Sequence, residues 1–141
     1  MKVAEIMTTD VEACPPDVKI QDIAAKMREI NVGSIPICEE GKIIGIVTDR
    51  DIVLRGIAEE LEMDAPVSEI FSETLITGTE EMPVEEAASL MARHQIRRLP
   101  IVRQEQLVGI VSLGDIAVRG KTPQEAEAAL EKVSEPAKPR R

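Results

Sequence analysis

The stretch GIVTDRD fills residues 45–51, and GIVSLGD fills residues 109–115, 64 positions further on. Each passes from an apolar run through a hydroxyl residue to an aspartate and into a second apolar run. Working outward, residues 3–56 align with 67–120 at that same offset without a gap, and fourteen of the 54 positions are identical. Chance would leave only a few identities. The pairs Ile20/Val84, Val32/Ile96, Ile35/Leu99, Ile43/Leu107 and Thr48/Ser112 are conservative as well. The chain is an internal duplication, which decides its architecture before any single residue is interpreted.

Each repeat gives the same order of elements. An apolar turn, VAEIM or VSEIF, precedes a short strand near Val11–Cys14 or Leu75–Gly78. A helix follows: Ile20, Ile23, Ala24, Met27 and Ile30 recur at helical spacing, as do Val84, Ala87, Ala88 and Met91. Pro83 suits a helix start. SIPIC and KIIGIVT then form a hairpin across the EEG turn, matched by RLPIV and QLVGIVS. Their nearly unbroken apolar runs predict strands covered on both faces. DRDIVLRGIAEEL and LGDIAVRG are exit helices. The unit is β-α-β-β-α. The domains expected are a first repeat over 1–60, a linker over 61–66, a second repeat over 67–120, and a C-terminal helix and tail over 121–141. In that last segment Thr122 and Pro123 suit the start of a helix.

Composition narrows the function. The chain is 43% hydrophobic, enough for a core, but has one Phe and neither Tyr nor Trp. A net charge of −9 opposes general binding to nucleic acid or an anionic membrane surface. The missing aromatics oppose base stacking. The longest apolar runs, Ile43 to Val47 and Leu107 to Val111, fall far short of the roughly 20 residues that span a bilayer. MKVAEIMTTD lacks the apolar region of a secretory signal. The expectation is a soluble cytoplasmic protein.

A β-α-β-β-α unit present twice, each copy carrying G-h-h-[ST]-x-x-D before its exit helix, resembles the cystathionine β-synthase (CBS) domain. Two in tandem resemble a CBS pair, or Bateman module, over about residues 1–120, of the small stand-alone prokaryotic kind. The resemblance implies an α/β fold with the repeats packed as a pseudo-twofold pair, and two clefts between them. It implies a regulatory module in which those clefts bind AMP, ADP, ATP or another adenosyl compound. It also implies a homodimer that signals to an unidentified downstream protein.

The motif residues carry two roles at once. [ST]-x-x-D ahead of an apolar run is a helix-capping signature, so Thr48 with Asp51 and Ser112 with Asp115 cap their exit helices. An ionised Asp also accepts two hydroxyl donors, which a ribose offers. In the CBS family the matching Asp holds the ribose, and the matching Thr or Ser contacts sugar or phosphate. Gly45 and Gly109 sit inside strands, where Gly marks a close backbone approach. Arg97 and Arg98 precede the second inner strand where the first repeat has Gly33 and Ser34, so their charge is not part of the scaffold. Arginine binds phosphate in bidentate fashion. Arg50 is a phosphate contact for the first cleft or a solvated residue. Ile35, Pro36, Leu99 and Pro100 shape an adenine slot or belong to the ordinary core. Arg55 and Arg119 fit i,i+4 pairs with the motif aspartates.

Cys14 and Cys38 are the only cysteines, both in the first repeat, with counterparts Gly78 and Val102. They are either two reduced buried thiols or a redox pair. His94, the only histidine, aligns with Ile30 on the helix stripe and is expected to be partly buried. One His and two Cys without close spacing do not form a zinc site, and no nucleophile–base pair, Walker loop or dinucleotide fingerprint is present. No cofactor and no catalysis are expected. The alternative function is a structural or stress-related interaction protein with vestigial clefts and a Cys14–Cys38 switch. A nucleic-acid-associated regulator ranks third because of the charge.

Overall fold

A computed structural model describes residues 1–72 and 76–119. The helix and tail expected beyond residue 120 lie outside the described residues. The fold is mixed α/β with antiparallel hairpins. The elements in chain order are α1 (Ile20–Ile30), β1 (Ser34–Glu39), β2 (Lys42–Thr48), α2 (Asp49–Asp51), α3 (Val84–His94), β3 (Arg98–Arg103), β4 (Gln106–Ser112) and α4 (Leu113–Arg119). One-turn 3₁₀ helices occupy Val3–Glu5 and Val67–Glu69.

Helical periodicity places α1 and α3 where the sequence predicts them. Ile20, Ile23 and Met27 are the buried stripe of α1, and Val84, Ala87, Ala88 and Met91 that of α3. Both helices end on a left-handed residue, Asn31 at φ 57° and Gln95 at φ 54°, a common way to stop a helix. The first hairpin turns through Glu40 and Gly41, the second through Gln104 and Glu105, all at positive φ. That is the backbone a two-residue hairpin loop requires. Ile35, Pro36 and Ile37 are buried in succession, as are Leu99, Pro100 and Ile101, so β1 and β3 are covered on both faces. In β2 and β4 burial alternates, with Gly45 and Val47, and Gly109 and Val111, buried between half-buried neighbours. The strands expected near Cys14 and Gly78 shrink to single parallel bridges, Cys14 to Ile37 and Gly78 to Ile101.

The chain divides into two compact units. The described part of one contains residues 1–11, 76–104 and 108–119; that of the other contains 12–72 and 105–107. The leading turn of each repeat thus folds with the helix and hairpin of the other. In the first unit Val3 N–H donates to Met82 O (2.9 Å), Ala4 N–H to Glu80 O (3.1 Å), and Thr8 pairs with Ile110. In the second, Val67 N–H donates to Val18 O (2.7 Å), Ser68 N–H to Pro16 O (3.0 Å), and Ser72 pairs with Ile46. The residues before each turn also satisfy helix-start amides: Val84 N–H donates to Met1 O, and Ile20 N–H to Ala65 O (both 3.0 Å). Each unit has its own aliphatic core. One gathers Val3, Ile6, Met91, Leu99, Ile101 and Ile116. The other gathers Ile20, Ile23, Ile35, Ile37, Val47 and Ile70.

This arrangement explains the strand glycines. A Cβ on Gly45 would overlap the Phe71 ring and the Ser72 carbonyl oxygen. One on Gly109 would lie 2.7 Å from Met7 sulfur and 3.0 Å from Thr8 O. The close approach is made by the exchanged leading segment of the chain itself.

The first exit helix departs from expectation. Instead of one helix over 49–61, the three-residue α2 opens into a π-helical turn at Ile52–Ile57. Ala58 N–H donates to Val53 O and Leu61 N–H to Gly56 O, each five residues back. The expected Asp51–Arg55 pair is therefore absent among the described residues. Arg55 Nη1 donates instead to the carbonyls of Ile70 (3.0 Å) and Phe71 (3.5 Å). Those carbonyls end the turn at Val67–Glu69 and hold the guanidinium against it. The side chain of Arg119, on which the Asp115–Arg119 counterpart depends, is not among those described.

Candidate ligand site

The motif builds the same small structure twice. Asp51 N–H donates to Thr48 Oγ1 (3.1 Å) and Thr48 N–H to Asp51 Oδ2 (2.9 Å). Asp115 N–H donates to Ser112 Oγ (3.0 Å) and Ser112 N–H to Asp115 Oδ2 (2.9 Å). These are reciprocal capping boxes. Each box uses one carboxylate oxygen and one lone pair of the hydroxyl. Oδ1 of Asp51 and Oδ1 of Asp115 have no partner among the described residues, and neither hydroxyl proton has an acceptor there. All four side chains are half-buried. Each box consequently offers a free anionic acceptor beside a free hydroxyl donor, held by the backbone.

The loop ahead of each hairpin is tied to its motif. Asp49 N–H donates to Gly33 O (2.9 Å), and Leu113 N–H donates to Arg97 O (3.1 Å). Arg97 and Arg98 therefore stand beside Ser112. Both are exposed, and neither has an ion-pair partner among the described residues. Arg50 is exposed and lines a surface depression of about 410 Å³ with Asp49, Val53 and Leu54.

Other sequence candidates fall elsewhere. Ile35 and Leu99 have no exposed surface. Each is enclosed in the core of its own unit. Pro36 and Pro100 are buried, and their carbonyls accept the N–H groups of Cys14 (3.0 Å) and Gly78 (2.9 Å). Burial and main-chain pairing account for the surroundings of these four residues. His94 is exposed at the last turn of α3, not partly buried as expected. Helix α3 ends there, beyond Met91, the last buried residue of its stripe.

Cys14 and Cys38 are free half-buried thiols. Cys38 N–H donates to Cys14 O at 2.9 Å, so their backbones are adjacent. The parallel bridge nevertheless puts the Cys14 side chain on the face of Ile37, and Cys38 on the opposite face. The counterpart confirms the direction: a Cβ on Gly78 would meet Leu99 and Ile101, both core residues. This opposed orientation does not suit a disulfide. Burial pushes both thiols above the ordinary range, Lys26 opposing and Glu12 reinforcing the effect at Cys14, and Cys14 reinforcing it at Cys38. Among the described residues no three His, Cys, Asp or Glu side chains gather as a metal site. No helix there is long and apolar enough to cross a membrane.

The CBS domain profile matches residues 3–56 and 67–119. The chain is 48% identical over 132 residues to the CBS domain-containing protein YhcV of Bacillus subtilis, covering 94% of each. Among solved structures it resembles hypoxic response protein I with two coordinated zinc ions (TM-score 0.77, 32% identity, 84% of this chain and 98% of the other). It also resembles the CBS domain pair of protein MJ0100 in complex with 5′-methylthioadenosine and S-adenosyl-L-methionine (TM-score 0.75, 28% identity, 84% and 94%). The chain belongs to the CBS domain family and carries that domain as two repeats.

Proposed function

We propose that this chain is a regulatory module that binds an adenosyl ligand at Thr48 and Asp51, at Ser112 and Asp115, or at both. One observation carries the reading: each capping box leaves a free carboxylate oxygen and a free hydroxyl proton side by side. A ribose diol supplies donors to the carboxylate, and an ester or ring oxygen accepts from the hydroxyl. The adenosyl ligands of the MJ0100 pair support the same chemistry. Within this reading AMP, ADP and ATP are candidate ligands, with Arg98 and Arg97 available to their phosphates. The module binds without catalysing a reaction, works in the cytoplasm, and passes its signal to another protein. It forms a homodimer through the exposed apolar residues Val53, Leu54 and Ile57.

Thermal unfolding in the presence of adenosine, 5′-methylthioadenosine, AMP, ADP or ATP tests the reading. A ligand at a hundredfold excess over its Kd adds about 2.7 kcal/mol to stability. At least one is expected to raise the melting temperature, and the gain is expected to vanish in the Asp51→Ala, Asp115→Ala double variant. No response to any of the five at millimolar concentration would sink the proposal.

A further inference from the structure

We infer that the two motif sites sort adenosyl ligands by charge: Ser112–Asp115 takes phosphorylated forms, and Thr48–Asp51 takes uncharged or cationic ones. The inference rests on the ligand-binding reading above and assigns its specificity to particular residues.

The two sites share a backbone frame and differ in what fills it. In each, the residue after the hydroxyl donates its N–H to the residue two before the inner proline's neighbour, Asp49 to Gly33 and Leu113 to Arg97. In the first repeat the Asp49 carboxylate lies over Gly33, with Oδ2 3.2 Å from the position a Cβ there would take. Asp49 Oδ1 accepts from Arg50 N–H at 2.8 Å, which fixes the carboxylate in place. In the second repeat Leu113 is 5% exposed and joins the core. No carboxylate occupies that position, and the exposed Arg97 and Arg98 adjoin the motif instead.

The sign of the local charge follows. Gly33, Ser34 and Thr48–Asp51 include one acid more than bases; Arg97, Arg98 and Ser112–Asp115 include one base more than acids. Arg50 is already counted in the first set, and it lines the surface depression with Asp49, Val53 and Leu54. A phosphomonoester carries nearly two negative charges at neutral pH. It is attracted by the second set and repelled by Asp49. An uncharged nucleoside meets neither effect.

Isothermal titration of the full chain with 5′-methylthioadenosine and with AMP tests this. The expected stoichiometry is two methylthioadenosines and one AMP per chain. Arg97→Gln with Arg98→Gln should weaken AMP about tenfold or more, the loss of charge-assisted phosphate contacts. It should leave methylthioadenosine within about twofold. Asp49→Asn should admit a second AMP. All three residues are exposed, so the variants keep the fold. Two equal AMP sites, a single methylthioadenosine site, or an AMP isotherm unmoved by either variant overturns the sorting alone. Absence of binding by both probes to the unmodified chain overturns the ligand-binding reading with it.

Discussion

Asp51 and Asp115 show how one side chain serves two purposes. Each spends one oxygen on a main-chain amide and keeps the other available. The sequence made these aspartates visible because a cap and a ribose acceptor demand the same residue at the same spacing. It left Cys14 and Cys38 undecided, because their joint absence from the second repeat says nothing about direction. Only the parallel bridge to Ile37 reveals that they face opposite ways. Burial holds both thiols protonated beyond their ordinary range. At pH 8 alkylation by iodoacetamide is expected to run slower in the native protein than in the unfolded chain. The linked stability is fully present below the ordinary thiol pKa, since the native state holds the proton more tightly. It declines as pH rises through the raised native values. Denaturation midpoints followed from pH 7 to 10, with and without Cys14→Ala and Cys38→Ala, check the sign; a rise in stability attributable to the thiols would contradict it.

Helices were legible because α1 and α3 obey a 3.6-residue periodicity, and the hairpins because nearly unbroken apolar runs flank a short polar turn. The helical reading failed where tertiary contact overrode it. Arg55 reaches for the carbonyls of Ile70 and Phe71, residues far along the chain, and the turn around it is π-helical. Strand β2 gives a sharper case. Gly45 within a strand marks a close approach, but what approaches, the Phe71 ring and the Ser72 carbonyl, comes from the other repeat. Gly45→Ala must push aside main chain as well as an aromatic ring. It is expected to cost about 1–3 kcal/mol, the range for overpacking a tight site. Phe71→Leu in the same chain should recover only part of that loss, because the Ser72 carbonyl remains. Urea unfolding of the single and double variants measures both; an unchanged midpoint for Gly45→Ala would refute the contact.

For the molecule as a whole, the duplication was the most informative fact in the sequence. Two copies in register fixed the family without any single residue being decisive. Surface composition adds an expectation about assembly. Val53, Leu54 and Ile57, all within the turn Ile52–Ile57, are 52%, 47% and 59% exposed. Large apolar side chains grouped in this way on a polar surface mark an interaction site. Light scattering should give twice the chain mass at micromolar concentration, and Val53→Ser with Ile57→Ser should shift it toward the monomer. A monomer throughout would contradict the homodimer. What the sequence did not disclose is which leading turn belongs to which hairpin, because an in-register repeat offers two similar partners for each. The answer is the crossed one, and it bears on ancestry. A polypeptide with a single repeat would hold a turn with no hairpin of its own to cover. Two such polypeptides would complete each other by reciprocal domain swapping. Tandem fusion of the gene would then make an obligate exchange intramolecular, turning a concentration-dependent association into a permanent one.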